Sequence, residues 1–150
     1  MVVQDNEHRK TTILLADDAP EIRRAVKRLL EATPDMEVVG EAENGLDAVT
    51  RCLSLEPDIV LMDVVMSGLN GVEATRRIMA QNPSTKVLGL SMHASKRFVE
   101  EMLKAGAFGY VLKDAISEEL VQAIRDAVAG REYVSSDLRA KLRLDRGGEP

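Results

Sequence analysis

The sequence predicts an α/β fold, a three-layer sandwich in which helices cover both faces of a parallel, five-stranded sheet. Two observations predict it. Five short apolar, β-branched runs alternate with five stretches of helical period, the order that produces strand–helix–strand units. Three of those runs are almost uninterruptedly apolar, as strands covered on both faces should be. Right-handed crossovers between parallel strands then distribute the helices over the two faces.

Local residues justify each element in turn. Strands are expected at residues 12–16, 37–40, 59–62, 87–90 and 109–112, the second of them near an edge of the sheet. Pro20 can open the first helix, because a missing N–H costs nothing in a first turn, and Ile22, Val26, Leu29 and Leu30 supply its apolar face. Leu46, Val49 and Leu53 mark the second helix. Val72, Thr75, Ile78 and Met79 mark the third, which Pro83 shuts off soon after its end. Phe98, Met102 and Leu103 mark the fourth. The fifth carries a stripe of Leu120, Val121, Ile124 and Val128, has Glu118 and Glu119 where the helix dipole favours anions, and stops at Gly130. Residues 1–10 read as a flexible N-terminus, residues 11–130 as the folded domain, and residues 131–150 as a linker with a short sixth helix from Ser136 and a tail.

With 150 residues, 45% of them hydrophobic, the chain can bury one sizeable core and hardly a second. There are 25 acidic residues against 20 basic ones, a net charge of −5, and only 3% aromatics. Binding of nucleic acid by this domain alone is not expected, since it needs a basic footprint and stacking faces. Cys52 is the single cysteine, so an internal disulfide and a thiolate metal site are excluded, and it reads as a small core residue. No apolar run reaches bilayer length and the polar start is unlike a signal peptide. A soluble cytoplasmic domain without membrane contact is expected.

In an open parallel sheet the usable crevice lies beyond the carboxyl ends of the strands. Asp17 and Asp18 follow the first strand, Asp63 closes the third, Ser91 follows the fourth and Lys113 the fifth. A single acid in such a place reads as a turn former or helix cap, but three converging acids do not. Like charges a few ångströms apart are tolerated when a cation sits between them. Three carboxylates with a backbone carbonyl and water make an all-oxygen site suited to Mg²⁺. Asp63 also interrupts the apolar sequence Val60-Leu61-Met62-Asp63-Val64-Val65-Met66, where a carboxylate needs a purpose. Beside Mg²⁺ such an aspartate can attack a phosphoryl donor, while Lys113 offers a compact cation and Ser91 a hydroxyl to hold the product.

Four segments, in this order, resemble the receiver domain of a two-component response regulator over residues 11–130. They are Leu15-Ala16-Asp17-Asp18, Asp63-Val64-Val65-Met66 followed by Gly71, Leu90-Ser91, and Ala105-Gly106-Ala107 through Gly109-Tyr110-Val111-Leu112-Lys113-Asp114. The last segment is similar to the NarL/FixJ branch, as is Ala129-Gly130-Arg131-Glu132-Tyr133-Val134-Ser135, which in that branch leads into a helix-turn-helix output domain. The resemblance implies a flavodoxin-like (βα)5 fold with strand order 2-1-3-4-5. It implies that Asp63 is the phosphoacceptor, that Asp17, Asp18, Asp63 and the Val65 carbonyl hold Mg²⁺, and that Ser91 and Lys113 contact the phosphoryl group. Tyr110 would be the switch aromatic that swings inward when Ser91 moves. A sensor histidine kinase is the implied donor, with slow self-dephosphorylation instead of enzymatic turnover, and a homodimer across the first and fifth helices is the implied assembly. No output domain is read within these residues, so DNA would be contacted only through one outside them. The chain reads either as a stand-alone regulator or as the receiver portion of a longer transcription factor.

Some residues depart from the family pattern. Ser67 stands where proline is usual, which predicts a less constrained loop up to Gly71. Met92 is larger than the usual residue and is expected to shield the phosphoryl group partly from water. Val65 and His93 occupy the positions that tune attack by water; His93 reads as an exposed residue at the start of the fourth helix that could orient a water. Arg139, Lys141, Arg143 and Arg146 make a basic tail that Asp137, Asp145 and Glu149 dilute into a solvated face.

Other functions share the sheet. An FMN-binding flavodoxin needs a hydroxyl- and glycine-rich phosphate loop where this chain has Ala16-Asp17-Asp18-Ala19-Pro20, and two acids repel phosphate. A phosphatase with an aspartyl intermediate needs a second acid where Val65 stands. A non-phosphorylated dimerising scaffold would not need the groups that are all present here.

Overall fold

The computed structural model describes residues 9–66, 68–92, 95–135 and 138–140. Its elements are β1 (Thr11–Ala16), α1 (Pro20–Glu31), β2 (Met36–Ala42), α2 (Gly45–Leu55), β3 (Ile59–Asp63), α3 (Gly71–Gln81), β4 (Lys86–Ser91), α4 (Lys96–Lys104), β5 (Gly109–Leu112), α5 (Ile116–Val128) and β6 (Tyr133–Val134), with a 3-10 turn at Lys113–Ala115. The expected loose start before Arg9, Ser67, His93, the start of the sixth helix at Ser136 and the basic tail past Ala140 lie outside the described residues.

The strands form one sheet in the order β2-β1-β3-β4-β5-β6, with every neighbouring pair parallel. The order of the first five is the expected one. β6 is an addition that the sequence reading missed. Tyr133 and Val134 pair with Gly109 and Tyr110, and the Tyr133 N–H donates to the Phe108 carbonyl at 2.8 Å. This approach requires glycine at position 109, because a Cβ there would lie 2.3 Å from the Tyr133 oxygen.

Successive strand side chains point to opposite faces, and the core divides accordingly. Ile13, Leu15, Ile59, Leu61, Leu88 and Leu90 pack with Val26 and Leu30 of α1 and with Leu120 and Ile124 of α5. Leu14, Val60, Met62 and Val87 pack on the other face with Val49, Cys52, Ile78, Val99 and Met102 from α2, α3 and α4. Each such fully buried aliphatic side chain stabilises by about 1.5–3 kcal/mol relative to exposure. That burial, more than helix propensity, holds the helices to the sheet.

Side chains cap three of the helices: Asn44, Asn70 and Ser95 accept from the amides of Asp47, Glu73 and Phe98. Gly130, with φ at 82°, follows α5 as expected. Part of the expected inner face is corrected. Leu46 and Leu53 of α2 are 58% and 51% exposed, and Val128 of α5 is 51% exposed. On α2 the smaller Gly45, Ala48, Val49 and Cys52 are buried instead. Bulk is excluded there, since a Cβ on Gly45 would meet the Leu69 carbonyl oxygen at 2.1 Å. No helix among the described residues is long and apolar enough to cross a membrane.

Candidate functional site

The parallel register decides which side chains meet. Ala16 pairs with Met62, Asp63 with Leu90 and Ser91 with Leu112, so β1, β3, β4 and β5 end at one level. Asp17, Asp63, Ser91 and Lys113 all sit at that end, where the crossover connections leave a crevice.

The three acids come together. One carboxylate oxygen from each of Asp17, Asp18 and Asp63 lies within 4.8 Å of the other two. Asp17 is fully buried, Asp63 is 4% exposed, and Asp18 faces solvent. Asp17 Oδ1 accepts from the Ala19 N–H at 2.9 Å, the local bond that a turn-forming aspartate makes. That turn role engages only Oδ1. Oδ2 is buried without a hydrogen-bond partner among the described residues, and the Lys113 ammonium stands 2.7 Å away as an ion pair. Asp63 Oδ1 accepts from the Val65 N–H at 3.2 Å, and its Oδ2 lies 3.3 Å from Lys113 Nζ. Asp18 does not cap α1, whose N-cap residue is Ala19.

Burial first, and then the charge of Asp17, push the Asp63 carboxyl up to about 6 against the opposing pull of Lys113 and the Val65 amide. Burial by itself would weaken the hold of Lys113 on its proton. Asp17 and Asp63 more than offset this and keep its ammonium above the ordinary lysine value. Two buried carboxylates facing one lysine and an all-oxygen donor set fit a hard divalent cation.

Ser91 is buried at the end of β4, and its hydroxyl acts on the phenol of the fully buried Tyr110. Burial, assisted by the charge of Asp63, raises the Tyr110 phenol, and Ser91 opposes the rise. The ring fits because position 89 is glycine: a Cβ there would press on Tyr110 Cδ2 at 3.1 Å. Gly71 lets α3 start directly against the site. Its N–H donates to the Val64 carbonyl at 3.0 Å, and a Cβ on it would fall 2.2 Å from the Asp63 carbonyl oxygen. Val65 and Met92, the residues two beyond Asp63 and one beyond Ser91, are 49% and 69% exposed.

The sequence reading missed one residue that touches this constellation. Arg23 of α1 donates from Nη1 to the Asp17 carbonyl oxygen and from Nε to Glu41 Oε1 at 3.0 Å. A helical arginine reads as solvated, yet this side chain is 13% exposed. Its only sequence signal is its place in the first turns of the helix that follows the paired acids.

The family model of the response regulator receiver domain matches residues 13–125. The chain belongs to this family. The response regulator UvrY of Escherichia coli K12 is 38% identical over 134 residues, which cover 89% of this chain and 62% of that protein. This receiver domain thus spans about three fifths of the length of such a relative. A solved two-component response regulator of the LuxR family from Aurantimonas sp. SI85-9A1 is similar with a TM-score of 0.85 and 37% identity, over 89% of this chain and 96% of that one. The receiver domain of the putative response regulator NarL from Mycobacterium tuberculosis is similar with a TM-score of 0.79 and 33% identity, over 82% of this chain and 99% of that one. These likenesses support the NarL/FixJ branch of receiver domains, which are signalling domains of two-component systems.

Proposed function

We propose that Asp63 accepts a phosphoryl group from a sensor histidine kinase in the cytoplasm and that the phosphorylated domain switches an interaction surface. The observation that carries this reading is the meeting of Asp17, Asp18 and Asp63 within 4.8 Å, with Lys113 ion-paired to two of them. Asp17, Asp18, Asp63 and the Val65 carbonyl would hold Mg²⁺. When bound, that ion neutralises charge on the transferred oxygens. The Asp63 carboxylate oxygen forms the new bond to phosphorus as the P–N bond of the phosphohistidine breaks, and the leaving imidazole takes its proton from solvent. Lys113 and Ser91 hold the phosphoryl oxygens by charge-assisted hydrogen bonds. Ser91 acts on the Tyr110 phenol, so a phosphoryl group that engages Ser91 biases the position of Tyr110 and, through it, the face of α4, β5 and α5.

The output is read as regulation of transcription through a DNA-binding domain outside residues 11–130, with residues 131–150 as the connection. The half-exposed Val128 on α5 favours a homodimer across α1 and α5. A stand-alone regulator uses the same chemistry. The site disfavours FMN, because carboxylates meet where a phosphate cradle is required.

The test is incubation of the protein with Mg²⁺ and acetyl phosphate, followed by intact mass measurement. One added phosphoryl group is expected, and none in Asp63→Asn or in the presence of a chelator. An unmodified wild type, or a modified Asp63→Asn, overturns the reading.

A further inference from the structure

We propose that Arg23 is a positioning residue for the cation site, fixing the first acidic loop so that Asp17 presents its second oxygen to the ion. The inference rests on the reading of Asp17, Asp18 and Asp63 as that site. Asp17 is held at four points. Its N–H donates to the Ala42 carbonyl at 3.0 Å, its Oδ1 accepts from Ala19, its Oδ2 faces Lys113, and its carbonyl oxygen accepts from Arg23 Nη1. The turn from Oδ1 to the Ala19 N–H already restrains the peptide after Asp17, and what the first three contacts leave without a partner is the carbonyl oxygen of that peptide. Arg23 holds that oxygen, and Asp18 follows on the same peptide, so one guanidinium adds to the fixing of both ligands.

The fork of Arg23 is itself held. Nε donates to Glu41 Oε1 at 3.0 Å, Nη2 lies 3.9 Å from Glu43 Oε2, and Lys27 approaches Glu41 Oε2 at 3.6 Å. Glu41 pairs in register with Leu15 and Ala42 with Ala16, so the fork ties the end of β2, the end of β1 and the start of α1 into one unit. A planar donor that reaches two acceptors in fixed directions can do this, and a lysine point charge cannot. Removing a partner of this kind, which orients a metal ligand without touching the metal, weakens metal binding by about 10- to 100-fold.

The experiment is titration of the full chain with Mg²⁺, read both as calorimetric binding and as the rise in Tm, beside the Mg²⁺ dependence of phosphorylation by acetyl phosphate. Arg23→Ala and Arg23→Lys are each expected to weaken Mg²⁺ binding about 10-fold. The half-saturating Mg²⁺ concentration should move more than the rate at saturation. An effect on general stability alone would lower Tm in chelator and leave the Mg²⁺-induced rise intact, which overturns the inference, as does full recovery in Arg23→Lys. Arg97→Ala, which breaks an exposed pair with Glu101 on α4, is the control and should leave Mg²⁺ binding unchanged. If Arg23→Ala does not fold, Arg23→Lys carries the same test. A wild type that binds no Mg²⁺ overturns the site reading as well, whereas normal binding by the wild type and both variants overturns only the role of Arg23.

Discussion

Lys113 reaches Asp63 across the end of β4, the strand that lies between theirs, with 3.3 Å between Nζ and Oδ2. The same ammonium touches Asp17, so one cation balances two buried acids from different strands. Lys113→Ala removes the charge that opposes proton uptake at Asp63. Phosphoryl acceptance from acetyl phosphate should slow by about 100-fold, the effect typical of losing one preorganised stabilising group. The Asp63 carboxyl should then titrate above its present value of about 6 when followed by NMR in chelator. An unchanged titration would show that Lys113 does not govern the acid.

The pH dependence of stability follows from the same carboxyl. Asp63 titrates near 6 in the folded protein, above the unfolded value of about 4, so folding favours its protonated form. Its contribution is fully present below the unfolded pKa and is lost as the pH rises through the folded one. In chelator, stability should fall by on the order of 2 kcal/mol on this account between about pH 4 and pH 8. Asp63→Asn should flatten that fall, as measured by urea unfolding at the two pH values. A wild type and variant with parallel pH profiles would refute the assignment.

Gly71 occupies a helical position where alanine would ordinarily gain about 1 kcal/mol. Here the added methyl would fall 2.2 Å from the Asp63 carbonyl oxygen, so overpacking should win by about 1–3 kcal/mol. Gly71→Ala is therefore expected to lower the midpoint of urea unfolding, and a raised midpoint would mean that α3 can shift without penalty.

Tyr110→Phe keeps the ring against Gly89 and removes only the hydroxyl on which Ser91 acts. A loss of about 1 kcal/mol is expected from removal of the hydroxyl, against about 3–5 kcal/mol for Tyr110→Ala, which opens a cavity. Denaturant unfolding of the two variants should separate them. Equal losses would locate the contribution of Tyr110 in its hydroxyl alone.

Most of the sheet was legible in the sequence because a strand covered on both faces has to be apolar throughout, as Ile59 to Met62 are. The meeting of Asp17, Asp63 and Lys113 was legible for a related reason. Parallel strands end at one level, so polar residues placed just beyond apolar runs must converge. The exposure of Leu46 and Leu53 was not legible, since hydrophobic spacing marks a helical face but not how closely a neighbouring loop crowds it. β6 was hidden too. Tyr133 and Val134 have no pattern of their own and become a strand only because β5 offers unpaired backbone groups beside Gly109. Arg23 escaped notice because its partner at the site is a main-chain oxygen, which no side-chain motif encodes.

β6 also changes where tension enters the domain. The chain past Val134 buries Leu138 in the core on the face of α2, α3 and α4, and Val134 itself is laddered to Tyr110, not to the end of α5. A downstream load is thus carried first by Leu138 and then, through Val134, by the strand that pairs with Tyr110, so mechanical tethering reaches the neighbour of Ser91 only after the anchor in the core gives way.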